Sequence, residues 1–506
     1  MTTFIDAMKM ENDYIYTENG AIAYSSTGTK LLDLFGMGAA YRTRSEADCI
    51  LLFKEAFAES PTYALKCLFY LRDVRGGQGE RRFFRVCMRW LANEKPNDAR
   101  RNMKYIPMYG RWDDLYIFVG TELEQDAFDF MKEQLALDVQ CNTPSLLAKW
   151  LKSENASSKE TKMLAFKTRE AFGMTAKQYR KTLSILRQRI NILERLMSEG
   201  RWDEIEFDKI PSKAGLKYKN AFARHDIERM KNEKVQSYAD FAKDKNTKVN
   251  AKALYPYEVV DKAINCMYSS FYEEPALDDT NRLMVNKYWD NLADYFNDKA
   301  FDGVAVVDTS ASMRGYGNPA CPINVAISLG MYCAEKGKGP FANHFISYSR
   351  TPRLVEVRGV DFCDKVRRIY DSNVCENTNI EALFDKLLSI ALKNKFQQED
   401  LPKNIIIISD MEFDGHWCLS AEASNRLQTL MNGVRRKWDM YGFSLPHLIY
   451  WNVEARQNNS PERVDTGNVS FVSGMSPSIF EQIMSGKSGM ELMMEVLDSS
   501  RYEPIK

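Results

Sequence analysis

Along residues 1–298 apolar side chains recur at three- and four-residue spacing. SEADCILLFKEAFAES (45–60), PTYALKCLFYLRDVR (61–75) and ERRFFRVCMRWLANE (80–94) each read as an amphipathic helix. Short breaks divide them: Ser60-Pro61, Gly76-Gly77-Gln78-Gly79 and Lys95-Pro96-Asn97. The same spacing predicts helices at about 124–137, 144–153, 175–198, 219–244 and 257–272, with little strand-like alternation. Many successive helices joined by short turns suggest stacked helical pairs in an α-solenoid, although no strict period repeats.

The pattern changes near residue 299. GVAVVD (303–308) and NIIIISD (404–410) are continuous apolar runs of strand length. HFISYS (344–349), RLVEV (353–357), HLIYWNV (447–453) and VSFVSG (469–474) also read as strands. Helical spacing separates them at 322–337, 380–394, 421–438, 477–485 and 489–500. Unbroken β-branched runs alternating with helices predict a mostly parallel sheet wrapped on both faces. The expected organisation is therefore an all-helical domain over 1–298 followed by an α/β domain over 299–506.

Composition narrows the class. The 506 residues are 44% hydrophobic and carry 26 glycines and 16 prolines, which excludes wholesale disorder and collagen-like chains. No apolar run reaches the length of a membrane span, and the N-terminal MTTFIDAMKMENDYIY lacks the order of a signal peptide. A soluble cytoplasmic protein is expected. The ten cysteines form no CxxC pair, so free thiols in a reducing compartment are expected rather than zinc sites or disulfides. Four histidines leave little material for histidine-based catalysis.

Lys+Arg and Asp+Glu both number 69, but the balance is uneven. Residues 149–252 hold 25 Lys and Arg against 14 Asp and Glu, a net of +11. KQYRKTLSILRQR (177–189) and KIPSKAGLKYKNAFARHD (209–226) mix these cations with Tyr179, Tyr218 and Phe222. Cations neutralise phosphates and aromatic rings stack on unpaired bases, so an RNA partner is expected. A solvated helix face balanced by acids is the alternative.

The two strongest strand runs each end in aspartate: Asp308-Thr309-Ser310-Ala311-Ser312 after the first, and Asp410-Met411-Glu412-Phe413-Asp414 after the second. Ligands of open α/β sheets bind at these carboxyl ends. Between the two lies Glu376-Asn377-Thr378-Asn379. Together they resemble the metal-ion-dependent adhesion site of von Willebrand factor A (vWA) domains, a Rossmann-like fold, across 299–506. The resemblance implies Asp308, Ser310, Ser312 and Thr378 as ligands of Mg²⁺ or another divalent cation. Asp410 would bind directly or through water, with Glu412 and Asp414 behind. Hard oxygen donors suit such an ion, and an open coordination position would accept an acidic group of a protein partner. The structural alternative has the serines capping a turn and Asp410 capping a helix. No G-x-S-x-G elbow is present, Ser310 stands where a haloacid-dehalogenase phosphatase needs aspartate, and GGQG lacks a Walker ending. No enzymatic activity is expected.

Tyr63-Ala64-Leu65-Lys66 and Leu71-Arg72-Asp73-Val74-Arg75-Gly76-Gly77-Gln78-Gly79-Glu80-Arg81 resemble a hallmark segment of TROVE-type proteins, the Ro ribonucleoprotein family. YGRWDDL (109–115), WDEIEFDKIPSKAGLKYKNAFARHD (202–226) and SDMEFD (409–414) are more similar to an uncharacterised family pairing a Ro-like helical region with a C-terminal vWA domain. The Ro resemblance implies a HEAT-like solenoid or ring that binds small structured or single-stranded RNA in a ribonucleoprotein. Lys213, Lys217, Lys219 and Arg224 are the RNA-contact candidates, chosen on charge alone. Two other readings stay open: a protein–protein adaptor acting through the metal site, and a component of a larger particle, for example a viral one. The Gly-rich turn also has a structural reading, with Arg72, Asp73, Arg75 and Glu80 ordering a helix corner.

Overall fold

In the computed structural model the described residues are 13–268, 279–314, 320–348, 351–372, 379–415, 429–484, 486–487 and 489–506. The chain forms two compact units. One comprises residues 1–67 and 254–499, the other 68–253 and 500–506. This differs from a linear cut at 298/299, because residues 13–67 group with the sheet and the last seven with the helices.

In the first unit, β1 (Tyr14–Tyr16) and β2 (Ile22–Tyr24) make an antiparallel hairpin. The helical reading of residues 1–298 missed it, although Asn19-Gly20 marks the turn and Gly20 takes a φ of +85°. Six further strands form the main sheet: β3 (Gly303–Asp308), β4 (His344–Tyr348), β5 (Arg353–Glu356), β6 (Asn404–Ser409), β7 (His447–Asn452) and β8 (Val469–Ser473). Their order is β5-β4-β3-β6-β7-β8, parallel except for β5, which runs antiparallel to β4 at the edge. All six residues of β3 and of β7 are buried, as expected where helices cover both faces.

Helix Pro322–Lys336 lies so close to β3 that a Cβ on Gly330 would fall 2.4 Å from Val307 Cγ2. On helix Lys30–Met37, a Cβ at Gly36 would meet Phe471 of β8 at 2.9 Å. The predicted helix at 380–394 is present as Ile380–Asn394, begun by the Asn379 side chain accepting from Ala382 N. Helix Leu430–Met440 accounts for the described part of the predicted 421–438 segment.

The second unit is helical, with Arg82–Glu94, Glu124–Gln140, Lys159–Phe172, Ala176–Arg189 and Ser212–Arg224 as its longer helices. The helix expected over 219–244 is broken into Ser212–Arg224, Asp226–Arg229 and Tyr238–Lys243. Arg229 causes part of the break by turning inward to donate to the carbonyls of Trp202, Ile205 and Gln236. Cys49, Cys67, Cys87, Cys333 and Cys363 are buried, while Cys141 is exposed. Among the described residues no helix is long and apolar enough to cross a membrane.

Candidate functional site

The β3–β6 register pairs Val307 with Ile408, so Asp308 and Ser409–Asp410 leave the sheet side by side at its carboxyl end. Asp308 Oδ2 accepts from Ser409 Oγ at 2.6 Å and from the Tyr348 hydroxyl at 3.3 Å. Its Oδ1 accepts from Ser310 N at 2.9 Å, which closes the DxSxS loop over the strand end. The Ser310 and Ser312 hydroxyl oxygens are 2.9 Å apart. Asp410 Oδ1 accepts from Glu412 N at 3.1 Å, whereas the buried Oδ2 takes no hydrogen bond among the described residues. Four of the five expected ligands therefore converge. Thr378 lies outside the described residues.

The loop after β6 is held in an uncommon conformation. Met411 is buried with φ +64°, a left-handed geometry that costs a side-chain-bearing residue about 1–3 kcal/mol. Met411 N donates to Ser409 Oγ at 3.0 Å. Glu412 ties the loop to the N-terminal hairpin: Oε2 accepts from Glu18 N at 2.6 Å, Oε1 from Asn459 Nδ2 at 2.9 Å, and its carbonyl from Asn19 Nδ2 at 2.6 Å. Thr17 Oγ1 donates to the Phe413 carbonyl, and Asp414 bridges to Gly20.

Burial raises the Asp308 carboxyl above its ordinary range, and repulsion from Asp410 adds to this. Burial likewise raises Asp410, against the pull of Arg456 and the Ser312 hydroxyl. Glu412 is pushed to about 7 by burial, with Asp410 and Glu18 repelling its charged form. Two buried aspartates, two hydroxyls and an unengaged carboxylate oxygen make a donor set that fits a hard divalent cation. Among the described residues no group of three or more His, Cys, Asp and Glu side chains forms a metal-holding cluster, as expected when hydroxyls supply half of the donors. Sequence reasoning missed Arg456, although it follows the carboxyl end of the interior strand β7, where ligand-facing residues gather.

Helix Ser212–Arg224 separates the four cationic candidates by its phase. At 100° per residue, Lys213, Lys217 and Arg224 fall on one stripe, and all three are exposed. Lys219 lies on the opposite side, is 6% exposed and donates to Asn220 Oδ1 at 2.8 Å. It is not a surface phosphate contact. Tyr179 and Phe222 are buried too: Tyr179 donates to the Lys152 carbonyl at 2.8 Å and Phe222 packs on Phe207 and Tyr238, so neither offers a face to a base. A nearby cleft of about 850 Å³ sets Lys149, Lys152, Arg180, Arg187 and Arg195 against Asp113, Glu154, Glu194 and Glu199. Its charges nearly cancel, so it does not extend the basic stripe.

The Gly-rich segment and YGRWDDL meet in space. Arg72 Nε and Nη2 donate to Asp114 Oδ2 at 2.9 and 2.7 Å, with both side chains buried. Arg85 Nε reaches Asp114 Oδ1 at 2.7 Å, and Arg81 pairs with Asp113. Val74 N donates to the Tyr109 carbonyl at 2.9 Å. Asp73 takes Arg501 Nη2 at 2.7 Å and the Tyr502 hydroxyl at 3.0 Å. Gly77 is obligatory here, since a Cβ would sit 2.0 Å from the Tyr70 carbonyl oxygen. Glu80 serves the following helix by accepting from Arg82 N at 2.9 Å. Arg72 and Asp73 order a corner by pairing with 109–115 and 500–506, and Asp73 Oδ1 also accepts from Arg75 N at 2.9 Å.

Residues 17–144 and 134–300, together more than half of the chain, match the family described as Domain of unknown function (DUF2828). The chain belongs to the DUF2828 family. The DUF2828 region contains both halves of the Arg72–Asp114 corner and the basic helix, while residues 302–503 match a second family, Domain of unknown function (DUF7788). A relative, "Uncharacterized protein L728" of Acanthamoeba polyphaga mimivirus, is 30% identical over 529 residues, covering 97% of this chain and 88% of that one. The solved Ro (RSR) protein of Deinococcus radiodurans superposes with a TM-score of 0.43 at 10% identity, covering 93% of this chain and 99% of that chain.

Proposed function

We propose that this DUF2828 protein binds RNA through the exposed stripe Lys213–Lys217–Arg224 and carries a divalent-cation docking site at the carboxyl end of its sheet. The stripe is the observation that carries the RNA reading: three cations on one solvent face, inside a segment of net charge +11. The Ro-like segments at 63–81 support it, and with them the reading of the helical region as a HEAT-like solenoid or ring within a cytoplasmic ribonucleoprotein. RNA would be held by its phosphates, because A-form major grooves exclude side chains. Nothing in this reading requires catalysis.

The mostly parallel sheet with one antiparallel edge strand and the converging Asp308, Ser310, Ser312 and Asp410 support a vWA-type domain holding Mg²⁺, with Thr378 as the further ligand. When bound, the ion would supply an electrophilic position open to a carboxylate from outside. Asp308 and Asp410 would hold it, and Ser409 and Tyr348 would fix the Asp308 carboxylate by their hydrogen bonds. A second reading, a protein adaptor working through this site alone, is favoured by the unengaged Asp410 Oδ2.

Purification from native cells, with the 260/280 nm absorbance ratio read before and after a high-salt wash, separates the two readings. Bound RNA that salt removes is expected. The triple variant K213E/K217E/R224E is expected to lower the affinity for that RNA at least about tenfold and to reduce the log–log salt slope by about 2. Asp308→Ala is expected to leave RNA binding intact. A bare-protein ratio, with a stoichiometric protein released by EDTA and lost in Asp308→Ala, would replace the RNA reading with the adaptor.

A further inference from the structure

Among the described residues Arg456 is the cation paired with the buried Asp410, and its contacts are lopsided. Nη1 lies 3.0 Å from Glu18 Oε2. Nη2 donates to the Ser312 carbonyl and stands 3.6 Å from Asp410 Oδ2. Arg44 Nη1 donates to the Arg456 carbonyl at 2.7 Å, which fixes the backbone from which the side chain reaches in. A separation of 3.6 Å is beyond hydrogen-bond length, so the guanidinium offsets the charge of Asp410 Oδ2 without engaging its lone pairs. The same side chain thus touches the serine loop, the Asp410 carboxylate and the N-terminal hairpin while remaining 30% exposed.

We propose that Arg456 is a built-in counter-cation of the Asp308–Asp410 pair: it competes with a divalent cation for Asp410 and so sets the affinity of the site. Glu18 holds the guanidinium partly away from Asp410. This rests on the metal-site reading above and goes beyond it by assigning the control of affinity to a residue outside the ligand motif.

The physical argument is one of shared charge. An apo site with two buried carboxylates needs some positive charge, and one half-exposed guanidinium at long range supplies it incompletely. Any ion accepted by Asp410 Oδ2 must share that oxygen's surroundings with the guanidinium, and like charges at such range repel. Removing the arginine charge while keeping most of its length therefore favours the ion. Removing the Glu18 charge does the reverse, because the guanidinium loses its second anion and commits to Asp410. A purely structural role for Arg456, clamping the Ser312 loop to the hairpin, predicts the opposite sign for the first change: a looser site binds the ion less well.

The test is calorimetric titration of the full-length chain with MnCl₂, comparing wild type, Arg456→Gln, Arg456→Lys and Glu18→Gln, with Asp410→Asn as the reference without a site. Arg456→Gln is expected to bind Mn²⁺ about tenfold tighter, Arg456→Lys within about twofold of wild type, and Glu18→Gln about threefold weaker. Binding detected only in Arg456→Gln supports the proposal equally. Wild type binding as tightly as Arg456→Gln, or tighter, overturns the counter-cation role and leaves the metal site standing. Absence of binding in wild type and both Arg456 variants overturns the metal site itself. If circular dichroism shows Arg456→Gln unfolded, Glu18→Gln decides: unchanged or tighter binding overturns the proposal.

Discussion

Two pairs of buried aspartates occupy the two units, and they differ in how much positive charge surrounds them. Asp113 and Asp114 are met by Arg72, Arg81 and Arg85, with Lys152 at 3.9 Å from Asp113. Among the described residues, the Asp308–Asp410 pair has one partly exposed arginine, 3.6 Å from Asp410 Oδ2. Their titration follows. Burial works to raise Asp114, but Arg72 and Arg85 outweigh it and its carboxyl is held below the ordinary range. Asp308 and Asp410 are raised. A carboxylate pair saturated with guanidinium groups is a fastening. The same side chains left short of charge, beside two hydroxyls, make a place for something to arrive.

The largest effect expected from this contrast is at the saturated pair. Asp114→Asn strands the buried Arg72 guanidinium and is expected to cost about 3–5 kcal/mol in urea denaturation followed by circular dichroism. Asp308→Asn is the matching change at the unsaturated pair. Without added metal it is expected to alter stability by no more than about 1 kcal/mol, because the site loses an unfavourable charge and keeps its hydrogen-bonding shape. The wild type should gain about 2.7 kcal/mol from Mg²⁺ at one hundred times its Kd, and this variant none. An equal loss in both variants without metal would break the comparison.

The smallest effect is a difference in pH profile. A carboxyl whose pKa is raised on folding stabilises the fold in its protonated form. In EDTA the contribution of Glu412 is therefore full below about pH 4.5 and is lost as pH climbs toward about 7. Asp114, shifted down, contributes above its unfolded value and loses that contribution on acidification. Wild type minus Glu412→Gln should fall from pH 4.5 to 7 in thermal melts, while wild type minus Asp114→Asn should rise from pH 2 to 5. Parallel profiles would mean that the two environments are not electrostatically distinct.

The sheet was legible because strands buried on both faces need no alternation: GVAVVD and NIIIIS announce themselves as unbroken apolar runs. The DxSxS and Asp410 ends were legible for the same reason, since each follows such a run. Lys219 was misjudged because counting charge ignores helical phase, and the 100° rule applied to 212–224 would have separated it from Lys213, Lys217 and Arg224. Helix Lys159–Phe172 escaped notice because KETKMLAFKTREAF spreads its apolar residues thinly among charges. The partners of Arg72 and Asp73 were not legible at all. Nothing local in LRDVRGG says that its charges will meet Asp114 and Arg501, and nothing near Val453 marks Arg456 as a cation approaching Asp410.

The Asp73–Arg501 contact joins positions 428 residues apart. On a ribosome, Asp73 is made long before its guanidinium, and the whole sheet must be synthesised between them. A carboxylate destined for burial waits in solution through that interval, with Gly76 and Gly77 holding an unclosed turn beside it. Sequence separation of this size slows folding and lengthens the exposure of half-built surfaces. The helical unit is therefore expected to acquire full protease resistance only after residues 500–506 have emerged.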